Sequence, residues 1–328
     1  FNGQKMADCV LRDDTPDFRV RPNQLALVTI PKITGEAFIP QKVEDKITRD
    51  AISELLFPYG LCSLSQNDKY FHPYHKTWEW HHEDAAYHNG AIWTWNAGAA
   101  IGSLCSIGLQ DLAWRFAKNV SRQFFEGPCA GTLSSNIWAY PDLDGSIKFS
   151  GAYSSCRSDS EFHRAAWQCF LGMQVNLFKN KISICPRVPS EWKEGSAEIY
   201  LGLENSLRLQ IFWSKESNGE REFTIAARGE NGQSGRSKKA SEKEAPLEIA
   251  LSFDGEEKKF CLLNSSQKCN GKIFKADANG LDFAKPLCLE PDWKKPECLL
   301  QKNFLAEIAL RQEFNAGHPS SLTSIRNS

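Results

Sequence analysis

The hydrophobic pattern of this chain changes its period near Asn180, and this change limits the folds open to it. Before this point, apolar residues recur at helical spacing, as at Val43, Ile47, Ala51 and Leu55. After it, short segments alternate apolar and polar residues, as strands with one buried face do. We therefore expect an α+β protein in which a helical part precedes an antiparallel β part.

The two patterns also predict where the individual elements lie. Helices are predicted at residues 41–57, 95–107, 109–125 and 159–177. Strands are predicted at 181–184, 197–203, 206–213, 221–227, 247–253, 259–263 and 272–276. The sequences SNGE at 217–220 and CNGK at 269–272 indicate hairpin turns. We expect a helical domain at 1–178, a β-sandwich-like domain at 179–300 and a tail at 301–328 that could hold one helix.

Composition narrows the class of protein. The chain has 328 residues and a net charge of −1, which provides no electrostatic attraction for nucleic acid or an anionic membrane. No apolar run is long enough to span a bilayer. The eleven cysteines are an odd number without a CxxC pair, which favours free buried thiols over disulfides or a zinc site. We expect a cytoplasmic protein with a neutral substrate.

An aromatic and histidine-rich stretch is the strongest functional signal. Residues 86–95 read AYHNGAIWTW, and Trp78, Trp80, Glu83 and Asp84 precede them closely. Indole faces can cover the apolar faces of a sugar ring while polar groups bind its hydroxyls. The alternatives are a tryptophan-rich core and a solvated acidic loop.

The candidate substrate-binding residues come from this stretch and from an earlier RPNQ motif. They are Arg21, Asn23, Gln24, Tyr87, His88, Trp93 and Trp95. A structural turn is the alternative for RPNQ, and a hydrogen bond to a loop backbone is the alternative for His88.

Five histidines invite a metal-site interpretation, which we do not favour. His72, His75, His81, His82 and His88 lie in a predicted loop, where no helix fixes two ligands on one face. The chain also lacks a G-x-S-x-G nucleophile turn and a glycine-rich phosphate loop. We expect neither a metal nor a cofactor.

Several motifs in fixed order resemble the C-terminal amylo-α-1,6-glucosidase domain of bacterial glycogen debranching enzymes. They are RPNQ at 21–24, LFPYGLCSLS at 56–65, DAAYHNGAIWTW at 84–95, GTLSSN at 131–136, GAYSSCRSDSEFHR at 151–164 and FLG at 170–172. The resemblance implies a partial α/α toroid over residues 1–178 and inverting hydrolysis of branch glucose. The implied ligand is glycogen or a branched maltooligosaccharide. Nothing in the sequence predicts an oligomeric state.

The chain departs from this family at the catalytic positions. Ser135 stands where the resemblance places the general base, a glutamate, and SCRS at 155–158 replaces a tryptophan-containing segment. The family's general acid belongs to a motif upstream of RPNQ that is absent here. Since the chain opens at Phe1, we expect it to be an N-terminally truncated part of a longer protein.

Two interpretations follow from these departures. Either another carboxylate acts as the base, or the chain is a non-catalytic glucan-binding relative. The candidate carboxylates are Glu83, Asp84, Asp142 and Glu161. Glu161 has a competing interpretation, because Ser158-x-x-Glu161 is a capping-box pattern.

The predicted β domain has two possible roles. It is either a structural support for the helical domain or a glucan-binding module. Trp213 and Trp293 are the side chains that could stack on a sugar there.

Overall fold

The computed structural model describes most of the chain as an α+β protein. It covers residues 1–34, 38–76, 83–142, 145–201, 207–229, 247–253, 256–262 and 265–287. Its helices are α1 (Ala26–Thr34), α2 (Gln41–Leu55), α3 (Glu83–Tyr87), α4 (Ala97–Ser106), α5 (Gln110–Ser121) and α6 (Cys156–Arg164). Short 3-10 turns occur at Pro22–Leu25, Thr94–Asn96, Arg122–Phe124 and Leu177–Lys179.

The strands are short in the helical part and longer after it. They are β1 (Cys9–Val10), β2 (Pro16–Asp17), β3 (Leu56–Phe57), β4 (Gly60–Leu61), β5 (Ile92–Trp93), β6 (Asn136–Ile137), β7 (Met173–Asn176), β8 (Lys181–Ile184), β9 (Gly195–Leu201), β10 (Leu207–Trp213), β11 (Glu220–Gly229), β12 (Leu247–Ser252), β13 (Glu257–Leu262) and β14 (Ser265–Lys272). The predicted tail at 301–328 lies outside the described residues.

Helix α4 is the centre of the helical part. Its glycines allow its neighbours to approach closely, as its Ala- and Gly-rich sequence predicts. A Cβ at Gly98 would lie 2.7 Å from Glu161 Oε2, and one at Gly102 would lie 3.1 Å from Thr29 Cγ2. Helix α5 packs beside it and buries Leu112 and Phe116 in the same apolar core. Among the described residues, no helix has the length and apolarity needed to cross a membrane.

The fourth predicted helix differs from the observed one at both ends. Helix α6 begins at Cys156 rather than 159, continues as a π-helical turn over Ala165–Phe170, and gives way to β7. Gly172 ends it with a φ of +62°, and a Cβ there would lie 1.8 Å from the Cys185 carbonyl oxygen. A strand rather than a helix therefore follows the glycine.

Two four-stranded sheets form the β part. One has the order β14-β11-β10-β9 and is antiparallel throughout. The other has the order β13-β12-β8-β7, and its β12–β8 pair is parallel, so the expectation of a wholly antiparallel arrangement was wrong. Both sheets contribute to one apolar core. Its fully buried members include Ile182, Leu209, Phe223, Ile225, Ile249 and Leu251.

The two predicted hairpin turns have different outcomes. SNGE does connect β10 to β11, and Asn218 and Gly219 both have a positive φ there, as a tight hairpin requires. CNGK instead lies inside β14, so that turn and the predicted strand at 272–276 were wrong. A Cβ at Gly271 would lie 2.1 Å from Phe253, which shows that this glycine allows close packing rather than a turn.

Residues 273–287 return from the sheets to the helical part, and we call them the return segment. Leu281 and Phe283 pack against the helical core. Arg49 donates hydrogen bonds to the carbonyls of Asp277 and Ala278. The Ala284 amide donates to the Leu56 carbonyl at 2.7 Å. This segment falls within the predicted β domain, and Ile273 at its start belongs to the core of the sheets, but its later residues contact the helices.

Arg221 and Trp192 hold the connection between the two parts. Trp192 packs against both apolar cores and stacks on Trp213 with ring centroids 5.7 Å apart. Trp213 is therefore enclosed, and the suggestion that it could stack on a sugar was wrong; Trp293 lies outside the described residues. Arg221 is 2% exposed and donates to the carbonyls of Pro189, Trp192, Lys193 and Ser214.

Arg221→Met tests whether this guanidinium secures the connection. The variant keeps the apolar stem but leaves buried carbonyls without donors, each of which costs about 1–3 kcal/mol. We expect the free energy of unfolding to fall by about 3 kcal/mol in a denaturant titration. Lys268→Met is the control, since its surface ion pair with Glu222 should contribute less than about 1 kcal/mol. Equal effects of the two substitutions would contradict this role.

Candidate functional site

Three side chains from the aromatic stretch form a compact group, which we call the aromatic cluster: Tyr87, His88 and Trp93. The Tyr87 and Trp93 ring centroids are 4.4 Å apart, and the His88 ring stacks on Trp93 at 5.8 Å with an interplanar angle of 16°. Trp93 Nε1 donates to the Tyr87 carbonyl at 2.7 Å. This bond fixes the indole, while His88 is exposed and Trp93 is half-buried.

The cluster continues into residues that sequence analysis did not assign to the site. His75 lies 5.1 Å from Tyr87 between ring centroids, and its carbonyl accepts a hydrogen bond from Trp138 Nε1. His75 Nδ1 lies at hydrogen-bond distance, 2.9 Å, from Ser150 Oγ. Trp138 stands two residues after the GTLSSN motif, and this proximity is the signal that could have identified it.

The histidines do not gather around a common point in the part of the chain that the structure describes. His72 and His75 are buried, whereas His81 and His82 lie outside the described residues. No group of three potential metal-ligating side chains is found among the residues that could be searched.

Pairing of β5 with β6 brings the aromatic cluster to Ser135. Trp93 is opposite Asn136 in this pair, and the Thr94 amide donates to the Ser135 carbonyl at 3.0 Å. Two motifs that are about 40 residues apart in the sequence, around Trp93 and around Ser135, therefore share one ladder. The structure places the predicted sugar-binding residues beside the position that the resemblance assigns to the base.

The Ser135 hydroxyl is occupied by structural hydrogen bonds. It donates to Asn136 Oδ1 at 2.9 Å and accepts from the Ala152 amide at 2.8 Å. The Ser135 amide in turn donates to the Ala152 carbonyl at 2.9 Å. A Cβ at Gly151 would lie 2.1 Å from Ser135 Oγ, so a glycine is needed below the hydroxyl. None of these partners is a base that could activate the hydroxyl as a nucleophile.

Side chains from elsewhere in the helical part hold the backbone of this loop. The Asp159 carboxylate accepts hydrogen bonds from the Leu133 amide at 2.9 Å and from Thr132 Oγ1 at 2.7 Å. Gln123 Oε1 accepts from both the amide and the hydroxyl of Ser134. Each of residues 132–135 is thus fixed by at least one bond, which makes the loop a rigid support.

Two buried donors near this loop have no hydrogen-bond partner among the described residues. They are Nδ2 of Asn136 and Nε1 of Trp95. Asn136 is 2% exposed, and the Trp95 ring lies under the Arg157 guanidinium at 5.8 Å. Buried donors normally find partners, so these two atoms are exceptions within the described part of the chain.

The candidate carboxylates have distinct environments. Glu161 forms an ion pair with Arg164 at 2.7 Å and lies against Gly98. The N-cap of α6 is Ser155, so the capping-box interpretation of Ser158 and Glu161 was wrong. A helix that starts three residues earlier than expected leaves Glu161 beyond its first turn.

The other acidic candidates are less fully defined. Asp142 pairs with Lys148 at 3.1 Å. The backbones of Glu83 and Asp84 belong to α3, the helix that also carries Tyr87, and their side chains lie outside the described residues.

The RPNQ motif ties the N-terminal segment to the aromatic stretch. Arg21 donates to the carbonyls of Ser63 and His88 and to Asn89 Oδ1. Asn23 donates to Asp8, while Gln24 is buried and donates to two backbone carbonyls. Burial lowers the pKa of Arg21 and raises the pKa of Asp8. These contacts favour the structural-turn alternative for all three RPNQ side chains.

Comparison with known protein families supports the resemblance that the order of the motifs indicated. Residues 2–131 match the family model described as amylo-alpha-1,6-glucosidase. The match confirms, over residues 2–131, the resemblance to the C-terminal domain of glycogen debranching enzymes. The match includes the RPNQ turn and the aromatic cluster and ends before Ser135. No curated protein matches the chain.

Asp159→Asn tests the support of the Ser135 loop. The amide side chain can no longer accept both hydrogen bonds, so we expect the loop to open more easily by about 1–2 kcal/mol. Hydrogen exchange at the Leu133 amide should accelerate by roughly tenfold or more.

Asp282→Asn provides the matched control, because that carboxylate pairs with Arg115 on the surface. The control should leave exchange at Leu133 unchanged. Unchanged exchange in Asp159→Asn as well would contradict the support assigned to Asp159.

Proposed function

We propose that this chain contributes to a glycogen debranching-type glycoside hydrolase that removes α-1,6-linked branch glucose with inversion. The observation that carries this proposal is the position of the aromatic cluster, which lies within the family-matched segment and pairs with the Ser135 loop. The proposed substrate is glycogen or a branched maltooligosaccharide.

Glucan binding is proposed to use the aromatic cluster. Trp93 provides a fixed, half-buried indole that an apolar sugar face can contact. The exposed His88 beside it can form a hydrogen bond with a sugar hydroxyl. A rigid aromatic face and a few convergent polar groups are typical of small-ligand sites.

The chemistry requires a carboxylate that Ser135 does not provide. Inverting hydrolysis uses a general acid and a general base about 6.5–9.5 Å apart. A serine hydroxyl cannot serve as the base because its pKa lies far above neutral pH. Asp142 and Glu161 are engaged in ion pairs. We therefore favour Glu83 as the substitute base, since it stands one helical turn before Tyr87 in α3.

A second candidate function is glucan binding without hydrolysis. The bonding of the Ser135 hydroxyl favours this second candidate. The hydroxyl forms hydrogen bonds with Ala152 and Asn136, which is consistent with a structural role for this residue. In this case the rigid loop and the aromatic cluster would still bind glucan.

Trp93→Ala tests the binding surface that both candidates share. Loss of the stacking face should weaken maltooligosaccharide binding to the 328-residue chain by about tenfold in calorimetry. His88→Ala, at an exposed position, should weaken binding less and checks that the effect does not come from misfolding.

Tyr200→Ala is the aromatic control, since Tyr200 is exposed on β9. The Tyr200→Ala variant should bind maltooligosaccharide with the same affinity as the unsubstituted chain. Equal affinity of folded Trp93→Ala would place the glucan site elsewhere.

Ser135→Glu tests whether the loop still supports catalysis. The substitution restores a carboxylate at the position that the resemblance assigns to the base. A placed general base contributes about 10²–10⁴-fold, and we expect at least about a tenfold gain in glucose release from a limit dextrin by the full-length protein. Ser135→Gln is the matched control, with the same shape and no charge, and should show no gain.

Glu83→Gln distinguishes the outcomes of that experiment. Loss of activity in Glu83→Gln, with no gain in Ser135→Glu, would identify Glu83 as the base. Glucan binding without glucose release in every variant would support the non-catalytic candidate. A folded full-length protein that neither binds glucan nor releases glucose would refute both candidates.

A further inference from the structure

A cleft of about 120 Å³ lies between the helices and the second sheet, away from the aromatic cluster. Helix α4, the π-helical turn and the β7–β8 pair all contribute to its wall. Its polar lining includes Thr29, Ser106, Arg164, Gln168, Gln174 and Arg187. None of these residues belongs to the proposed glucan site.

The charge of this cleft is positive. Two arginines line it, and the described residues of its lining include no aspartate or glutamate. Arg164 is neutralised by Glu161 at its edge. The Arg187 guanidinium lies over the Phe274 ring at 5.2 Å and has no ion pair or hydrogen bond with any described side chain. One half-buried cation therefore faces a polar cavity without a counter-charge.

The thiols in the wall do not cancel this charge. Burial raises the pKa of Cys169 to about 11 and raises the pKa of Cys105 well above its ordinary value. Both groups are neutral near pH 7 and neither repels an anion nor reacts readily as a thiolate. Three glutamines, Gln41, Gln168 and Gln174, also line the cleft, and their amide nitrogens can donate to an oxyanion.

We propose that this cleft binds a phosphate group, either free or carried by a small sugar, with Arg187 as its principal ligand. The planar guanidinium fork matches two oxygens of a phosphate. A water needs roughly 10–15 Å³ of such volume, so the cleft holds several waters and hence one tetrahedral anion. It is smaller than the 300 Å³ or more typical of drug-sized ligands, so a sugar carried by the phosphate would extend through the open mouth.

Arg164 and Gln168 would complete the site from the helical side. Arg164 Nη1 donates to Gln168 Oε1 at 3.2 Å, which holds the two side chains together along the cleft wall. The Gln168 amide nitrogen can then donate to the anion. On the sheet side, Gln174 lies on β7 and can donate in the same way.

Calorimetric titration of the 328-residue chain tests this proposal at constant ionic strength, so that general screening does not change. The probes are inorganic phosphate, glucose 1-phosphate and unphosphorylated glucose. We expect saturable binding of at least one phosphorylated probe. Stronger binding of inorganic phosphate assigns the site to the free anion, and stronger binding of glucose 1-phosphate assigns it to a sugar phosphate.

Two variants locate the binding in the cleft. Arg187→Gln should weaken phosphate binding by about tenfold or more. Gln174→Glu adds a negative charge to the wall without changing Arg187 and should weaken binding similarly. Arg122→Gln is the control, because Arg122 is exposed and pairs with Glu126, and it should bind phosphate normally.

No saturable binding of either phosphorylated probe to the folded chain would overturn the proposal. Unchanged phosphate affinity in folded Arg187→Gln and folded Gln174→Glu would also overturn the proposal. Neither result bears on glucan binding, which is measured separately with Trp93→Ala.

Discussion

The close approach of neighbouring elements to α4 is the constraint on which the helical part depends. Gly98 allows Glu161 to lie against the start of this helix, and Gly102 allows Thr29 and Cys169 to lie against its middle. A side chain at either glycine would push α6 or α1 outward. Both proposed sites rest on this contact, since α6 supports the Ser135 loop and Gly102 borders the arginine-lined cleft.

The Ser135 loop combines a rigid backbone with a side chain that cannot perform the chemistry of the family. Asp159, Gln123 and Ala152 fix its amides, and rigid support of this kind is what a catalytic group needs for accurate placement. The hydroxyl of Ser135 is part of the same support. The loop is rigid, but the carboxylate that the resemblance places at this position is missing, which is why both hydrolysis by a substitute base and binding alone were proposed.

The connection between the helices and the sheets is made by few, strongly bonded groups. Trp192 packs into both apolar cores, and Arg221 crosses beneath it to four carbonyls. The return segment then brings the chain from the sheets back to α2 and α5, with Arg49 and Gln110 binding its carbonyls. The arginine-lined cleft opens where these two parts meet.

The local sequence pattern was enough to predict those elements that depend only on residues close together in the chain. The four-residue spacing at Ile47, Ala51 and Leu55 predicted α2, and Asn218-Gly219 predicted the β10–β11 turn, because both signals depend only on neighbouring residues. Tertiary structure decided the rest. Cys185 explains why the helix stops at Gly172, and Phe253 explains why Gly271 lies in a strand. One of the two bonds that occupy the Ser135 hydroxyl comes from Ala152, which folding brings close although it is 17 residues away in the sequence. Such contacts leave no periodic trace in the sequence, since each depends on a partner that only folding brings near.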